Sequence, residues 1–450
     1  MRTLVLVDGE HYPPVVRDAL AEITAGGRVV VGAALVGGGE KLSGGPDYGP
    51  VRCVTGPDPL AALLAGLDRF RPDEVLDLSD QPVLDARTRM RLAAHALARG
   101  VPYRGAGFAF EPPPRPRLAN RPSVAVIGTG KRTGKTAVAA EVARLLASAG
   151  HQPVLVAMGR GGPATPEVVD PNRVALGPGD LAVLARTGRH AASDHLEDAL
   201  TTGVVTVGTR RCGGGLAGEP VAATFADGVE VANDLPGDLF IFEGSGTAVP
   251  PVASDATACV VGANADPELV VGYLGAYPLL LADLVIITLA EAPLADVGAV
   301  EALEDRIRGL VPGVPVVRTT FRPRPLEPIS GHSVFFATTA PEAVAGTLAA
   351  HLESYGATVV GHSSALANRP RLTADLEAAG PADILVTELK AAAVDLATEF
   401  ALERGMGVVY SDNQLRVTSD TEAGLLEELI RSLATQAASR FDQHSQGVHR

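Results

Sequence analysis

Lys135 and Thr136 close the stretch Val124–Thr136, VAVIGTGKRTGKT, and their types and spacing point to phosphate chemistry. Four apolar residues, a glycine-rich turn, Gly134-Lys135-Thr136 and a helical pattern follow the order of a P-loop. In that arrangement backbone N–H groups from Gly130, Lys131, Arg132, Thr133, Gly134, Lys135, Thr136 and Ala137 surround phosphate oxygens. The Lys135 ammonium reaches the β- and γ-phosphates, and the Thr136 hydroxyl ligates Mg²⁺. One position departs from the usual pattern: the residue where the first glycine belongs is Thr129, flanked by Gly128 and Gly130. Lys131 and Arg132 add positive charge to the turn.

Three arginines sit among glycines. Arg160 lies in MGRGGP, and Arg210 and Arg211 precede Cys212-Gly213-Gly214-Gly215. Small neighbours leave a guanidinium open to a phosphate, so these stretches predict a second place for an anion. Lys390, beginning a helix after the strand Ile384–Thr387, is a further phosphate candidate. Glu243 follows the strand pattern Asp238–Phe242, where a carboxylate in a P-loop domain holds Mg²⁺ directly or through water. Asn264 and Glu291 follow later strands and are candidates for holding the nucleotide base. His195, within Ser193–Asp198, reads equally as a base or as a helix-face residue.

The elements that must position these groups alternate between strand and helix, which implies parallel βαβ units. Residues 1–112 form one α/β domain. Its strands Thr3–Val7, Arg28–Val36 and Glu74–Leu78 end in Asp8, Glu10 and His11, in Glu40 and Lys41, and in Asp77 and Asp80. Open α/β sheets bind ligands at such strand ends. Residues 113–119 belong to a stiff proline-rich linker. A P-loop core is expected over 120–435, with βα alternation continuing to its end and a polar, disordered tail at 436–450. The fold class is therefore α/β, a mostly parallel P-loop sheet with an additional N-terminal α/β domain.

Composition narrows the partners. The 450 residues predict two or three domains at roughly 150 residues each. A formal net charge of −14 speaks against nucleic acid or an anionic membrane as partner. The apolar stretch 270–290 contains Pro278 and Asp283 and reads as a core helix and strand rather than a membrane span. Cys53, Cys212 and Cys259 are scattered without metal spacing, which argues for a reducing compartment. No signal peptide pattern is evident at the N-terminus, so a cytoplasmic location is expected.

The stretches IGTGKRTGKTAV, DGEHYPP, DLSDQPVL, MGRGGP, RRCGGGLAG, FEGSG, TTAPE, TELKAAAVD and SDNQ together make the chain resemble the cyclic 2,3-diphosphoglycerate synthetase family over nearly its whole length. The P-loop part is also similar to dethiobiotin synthetase, and the segment near Lys390 to lipid A 4′-kinase. The resemblance implies a soluble, homodimeric ligase using ATP and Mg²⁺, with K⁺ as an additional candidate cation. Such an enzyme closes 2,3-bisphosphoglycerate into its cyclic pyrophosphate and releases ADP and phosphate. In that reading Lys135, Arg160, Arg210, Arg211 and Lys390 serve catalysis, and Thr136 and Glu243 serve the metal. Glu10, His11 and Asp80 cover or regulate the site. Two other readings use the same P-loop: a kinase of a small phosphorylated metabolite such as 2-phosphoglycerate, and a regulatory NTPase or metallochaperone.

Overall fold

A computed structural model describes residues 1–42, 45–173, 176–187, 193–389, 393–419 and 424–447. It divides into two compact units. The first comprises Met1–Pro114 with the returning segments Asp266–Leu281 and Gly309–Val311. The second comprises Arg115–Ala265, Ala282–Arg308 and Pro312–Arg450.

The first unit is built on six strands: β1 (Arg2–Val7), β2 (Val29–Leu35), β3 (Cys53–Thr55), β4 (Glu74–Asp77), β5 (Tyr103–Gly105) and β6 (Phe108–Phe110). Their order is β3-β2-β1-β4-β5-β6, parallel except for the last pair. The segment Asp266–Leu281 belongs here, as short helices Pro267–Val271 and Ala276–Leu280, so half of the apolar stretch 270–290 lies outside the P-loop unit.

The second unit carries a 13-stranded sheet. Its strands are β7 (Ser123–Gly128), β8 (Pro153–Gly159), β9 (Glu167–Val169), β10 (Thr206–Cys212), β11 (Ala222–Ala223), β12 (Leu239–Glu243), β13 (Ala256–Gly262), β14 (Leu284–Thr288), β15 (Val316–Pro325), β16 (Ser333–Ala337), β17 (Thr358–Ser363), β18 (Ile384–Glu388) and β19 (Gly407–Val417). The order is β11-β10-β8-β12-β7-β13-β14-β15-β19-β18-β16-β17, with β9 on β10. Strands β10, β8, β12, β7, β13 and β14 run parallel, so the ends of β7, β8, β10 and β12 lie along one edge. All six residues of β7 are buried, as a strand covered on both faces requires. One covering layer is the P-loop helix Lys135–Ser148, whose Val138, Val142 and Leu146 recur every fourth residue and pack on Val124 and Val126. The C-terminal helix Leu425–Gly447 adds Ile430, Leu433 and Ala437 to the same core.

Four local features of this unit have physical reasons. Arg210 and Arg211 lie at the end of β10, where Arg210 is in register with Gly159 of β8 and Arg211 with Ala223 of β11. Phe321–Pro325 extends β15, and Asp412–Gln414 extends β19, as a long antiparallel pair. Beyond Arg318, β15 pairs only with β19, and an edge tolerates prolines such as Pro323 and Pro325. The polar stretch from Gln436 is helical as far as Gly447 rather than disordered. Its polarity is that of a helix face: Ala437 is fully buried, and Arg440 makes two bonds to Asp283, at 2.7 and 2.9 Å.

Candidate active site

The P-loop begins where Thr129 N–H donates to the Val260 carbonyl of β13, at 3.1 Å. Gly134 caps the following helix at φ +82°, and a Cβ there would fall 2.2 Å from the Phe321 ring. That position therefore demands glycine on both backbone and steric grounds. The N–H groups of Lys135, Thr136 and Ala137 open the helix and have no intrahelical partner, which is the geometry that binds phosphate. Thr133 is pinned from β14, its carbonyl accepting the Thr288 hydroxyl at 2.7 Å. Lys135 Nζ folds back and donates to the Gly130 carbonyl at 2.6 Å. Burial pushes this ammonium down to about 8 against the pull of the Glu243 carboxyl. Lys131 and Arg132 are exposed on the turn.

Glu243, at the end of β12, is 2% exposed, and Asp198, on the helix Asp194–Thr202, is fully buried. Counted as carboxylates, Glu243 Oε2 and both Asp198 oxygens face no donor. Burial, and then the nearby Asp194 carboxylate, push Glu243 up to about 8. Burial and Glu243 push Asp198 well above the ordinary carboxylate range. One proton held on Asp198 and donated to Glu243 relieves the repulsion. The Thr136 hydroxyl also bonds Glu243. Buried carboxyl oxygens beside a P-loop hydroxyl form a hard oxygen donor set that fits Mg²⁺. Among the described residues no group of three or more His, Cys, Asp or Glu could hold a metal unaided. A metal here would share its ligands with nucleotide phosphates, as Mg²⁺ commonly does.

The second cluster is cationic. Arg160 follows β8, and Arg211 lies in β10. A Cβ at Gly246 would stand 2.7 Å from Arg160 Nη2 and 3.0 Å from Arg211 Nη2, so both guanidinium groups converge on that glycine. Arg211 is anchored there by donating from Nη2 to the Ser245 carbonyl and from Nη1 to that of Gly213, at 2.7 and 2.8 Å. Its burial and the neighbouring Arg160 lower its hold on its proton. Two cations brought together at a small residue are suited to an anion with more than one charged oxygen.

Not all sequence candidates gather here. Successive strand residues leave opposite faces, so Arg210 parts from Arg211 and donates to the Pro163 carbonyl at 2.7 Å. Glu291 is held by Arg322 through two bonds, at 2.5 and 2.8 Å, and accepts from the Thr320 hydroxyl. It lines a cavity of about 900 Å³ with Arg318, Arg322 and His351. Asn264 is exposed after β13, its Oδ1 close to Gly262, which itself borders Thr133 of the P-loop. His195 is 4% exposed, packed so tightly on Gly208 that a Cβ there would meet its ring at 2.4 Å. Its Nδ1 lies 3.0 Å from the Ser193 hydroxyl oxygen. Lys390 lies outside the described residues. Asp194 and Asp198 were missed by the sequence reading, although four-residue spacing puts both on one helix face.

In the first unit, the ends of β1, β2 and β4 do meet. Buried Asp8 accepts from the N–H groups of Glu10, His11 and Asp80 at 3.0, 3.2 and 2.7 Å, and its Oδ1 lies 2.7 Å from His11 Nδ1. Lys41 pairs with Glu10, and Asp77 is held by Arg89 at 2.7 Å and by the Tyr103 hydroxyl at 2.9 Å.

Three family models match the chain: cyclic 2,3-diphosphoglycerate synthetase N-terminal domain over 2–111, P-loop domain over 123–320 and C-terminal domain over 325–414. A cyclic 2,3-diphosphoglycerate synthetase of Rubrobacter xylanophilus is 48% identical and covers 100% of both chains. That of Methanothermus fervidus is 42% identical over 98% of each. Among solved structures, the hydrogenase maturation factor HypB of Archaeoglobus fulgidus covers 44% of this chain and 81% of its own at 14% identity, with a TM-score of 0.28, too slight a likeness to bear on function. No described helix is long and apolar enough to cross a membrane.

Proposed function

Because this chain is an enzyme of the cyclic 2,3-diphosphoglycerate synthetase family, we propose that it is an ATP-dependent ligase. It closes 2,3-bisphosphoglycerate into its cyclic pyrophosphate and releases ADP and phosphate. The convergence of Arg160 and Arg211 on Gly246 carries this reading, because ATP bound at a P-loop leaves a separate anion to be neutralised.

The proposed reaction has two in-line displacements. An oxygen of one substrate phosphate attacks the γ-phosphorus, the bond to the β–γ bridging oxygen breaks, and ADP leaves. The second substrate phosphate then attacks the phosphorus of the first. The ring P–O–P bond forms, and the former γ-phosphate departs as inorganic phosphate. Joining two like-charged groups requires positioning and charge neutralisation more than covalent help. Lys135 and the helix-opening N–H groups hold the nucleotide phosphates. Arg160 and Arg211 hold the substrate phosphates and stabilise charge as it moves between them. Thr136 and Glu243, with Asp198 behind them, would hold Mg²⁺, which supplies further charge neutralisation. Asn264 is the candidate for the base. From family likeness we take a cytoplasmic homodimer as the working form.

Phosphorus NMR of the full-length protein with ATP, Mg²⁺ and 2,3-bisphosphoglycerate tests the assignment. A ring pyrophosphate signal growing in step with free phosphate is expected. No ring signal there, together with phosphorylation of 2-phosphoglycerate in a parallel sample, would make the protein a kinase instead.

A further inference from the structure

The helix Asp194–Thr202 brings Asp198 against Glu243, yet the group fixing its far end comes from a distant part of the chain. The Thr201 carbonyl, in its last turn, accepts from Arg324 Nη2 at 3.1 Å and from Arg144 Nη1 at 3.5 Å. Arg324 belongs to β15, and Arg144 to the P-loop helix. Both guanidinium groups are held by one carboxylate: Asp412 Oδ2 lies 2.6 Å from Arg144 and 3.3 Å from Arg324. Asp412 faces Arg324 across the β15–β19 pair and is 5% exposed. Arg144 is further tied to Glu141 on its own helix. One turn before Thr201, the Asp198 carbonyl accepts the Thr202 hydroxyl at 2.6 Å.

We propose that Asp412, Arg144 and Arg324 form a clamp that sets the position of the helix Asp194–Thr202, and through it the carboxyl of Asp198 beside Glu243. The three are positioning residues for the metal-nucleotide site. The clamp rests on the reading of Thr136, Glu243 and Asp198 as a metal site. Two cations at a helix C-terminus are electrostatically favoured, and their direct bonds to Thr201 fix the helix along its axis. Asp412 makes the arrangement possible, because two half-buried guanidinium groups on one carbonyl repel unless a carboxylate lies between them. Without it they separate, the carbonyl is released, and Asp198 is no longer fixed opposite Glu243. The long β15–β19 pair, with Asp412 at the SDNQ stretch, thereby reaches the nucleotide site without touching a ligand.

The test is Mn²⁺ binding, followed by electron paramagnetic resonance, to the full-length protein carrying a non-hydrolysable ATP analogue. Asp412→Asn is expected to weaken Mn²⁺ by about tenfold to a hundredfold, the usual effect of losing an outer-shell partner. Affinity for the analogue without metal should change by less than about threefold, because the P-loop contacts to phosphate are untouched. Arg324→Lys keeps the charge beside Asp412 but loses the forked donor, and should show the same direction; it decides the matter if Asp412→Asn does not fold. Unchanged Mn²⁺ affinity in a folded variant overturns the clamp. Glu243→Gln separates the two readings: if it binds Mn²⁺ like the unaltered protein, the metal site itself is misplaced.

Discussion

At the scale of single residues, chemistry depends on which way each side chain leaves the backbone. Lys135 is held inside its own loop by the Gly130 carbonyl, a partner that it exchanges for phosphate in the proposed reaction. Lys135→Ala should lower turnover by at least about a hundredfold, as loss of a single preorganised charge does, with the fold intact by circular dichroism. Arg210→Ala should leave turnover within about twofold, since its guanidinium serves the Pro163 carbonyl; this is the size of effect expected of a surface contact. The P-loop and the arginine–glycine stretches are local patterns in the sequence, and the fold brings Arg160 and Arg211 from two of them to one glycine. What local pattern could not give was direction. Arg210 and Arg211 are neighbours in sequence, yet a strand sends them to opposite faces. Asp198 was hidden because its importance comes from Glu243, 45 positions later, meeting it inside the core.

At the scale of elements, strand periodicity recovered the parallel sheet and the P-loop helix with small errors at their ends. Elements stabilised by distant partners were the ones misread. The final helix carries polar residues on its outer face, but Ala437 faces the core and Arg440 bonds Asp283 across the sheet end. Deleting 436–450 should therefore destabilise the protein by about 3–5 kcal/mol, the cost of leaving a largely buried carboxylate without its partner. Urea denaturation measures this. A loss below about 1 kcal/mol, typical of an exposed ion pair, would mean the helix end contributes little.

At the scale of the whole molecule, the acidic chain brings Arg160 and Arg211 together at Gly246 and buries the carboxyls of Glu243 and Asp198 beside the P-loop. That arrangement makes stability depend on pH. Glu243 is raised from 4.5 to about 8, so the folded chain holds more protons than the unfolded one between those values. Stability therefore falls as pH rises through that window. Lys135, lowered from 10.5 to about 8, contributes the opposite slope above that window, while Asp198, raised well above the ordinary carboxylate range, extends the fall. Thermal unfolding without ligands should show stability falling between pH 4.5 and about 8, and Glu243→Gln should lessen that fall. Parallel profiles for the two proteins would remove Glu243 as the cause. The account as a whole depends on there being two anion sites along one sheet edge, and equilibrium titration is its most direct test. Adding 2,3-bisphosphoglycerate to the full-length protein already saturated with a non-hydrolysable ATP analogue and Mg²⁺ should give a ternary complex. Arg211→Ala should weaken the bisphosphoglycerate by at least about tenfold, as loss of a charge-assisted bond implies, while leaving the analogue within about twofold. Displacement of the analogue by 2,3-bisphosphoglycerate, one ligand excluding the other, would contradict it.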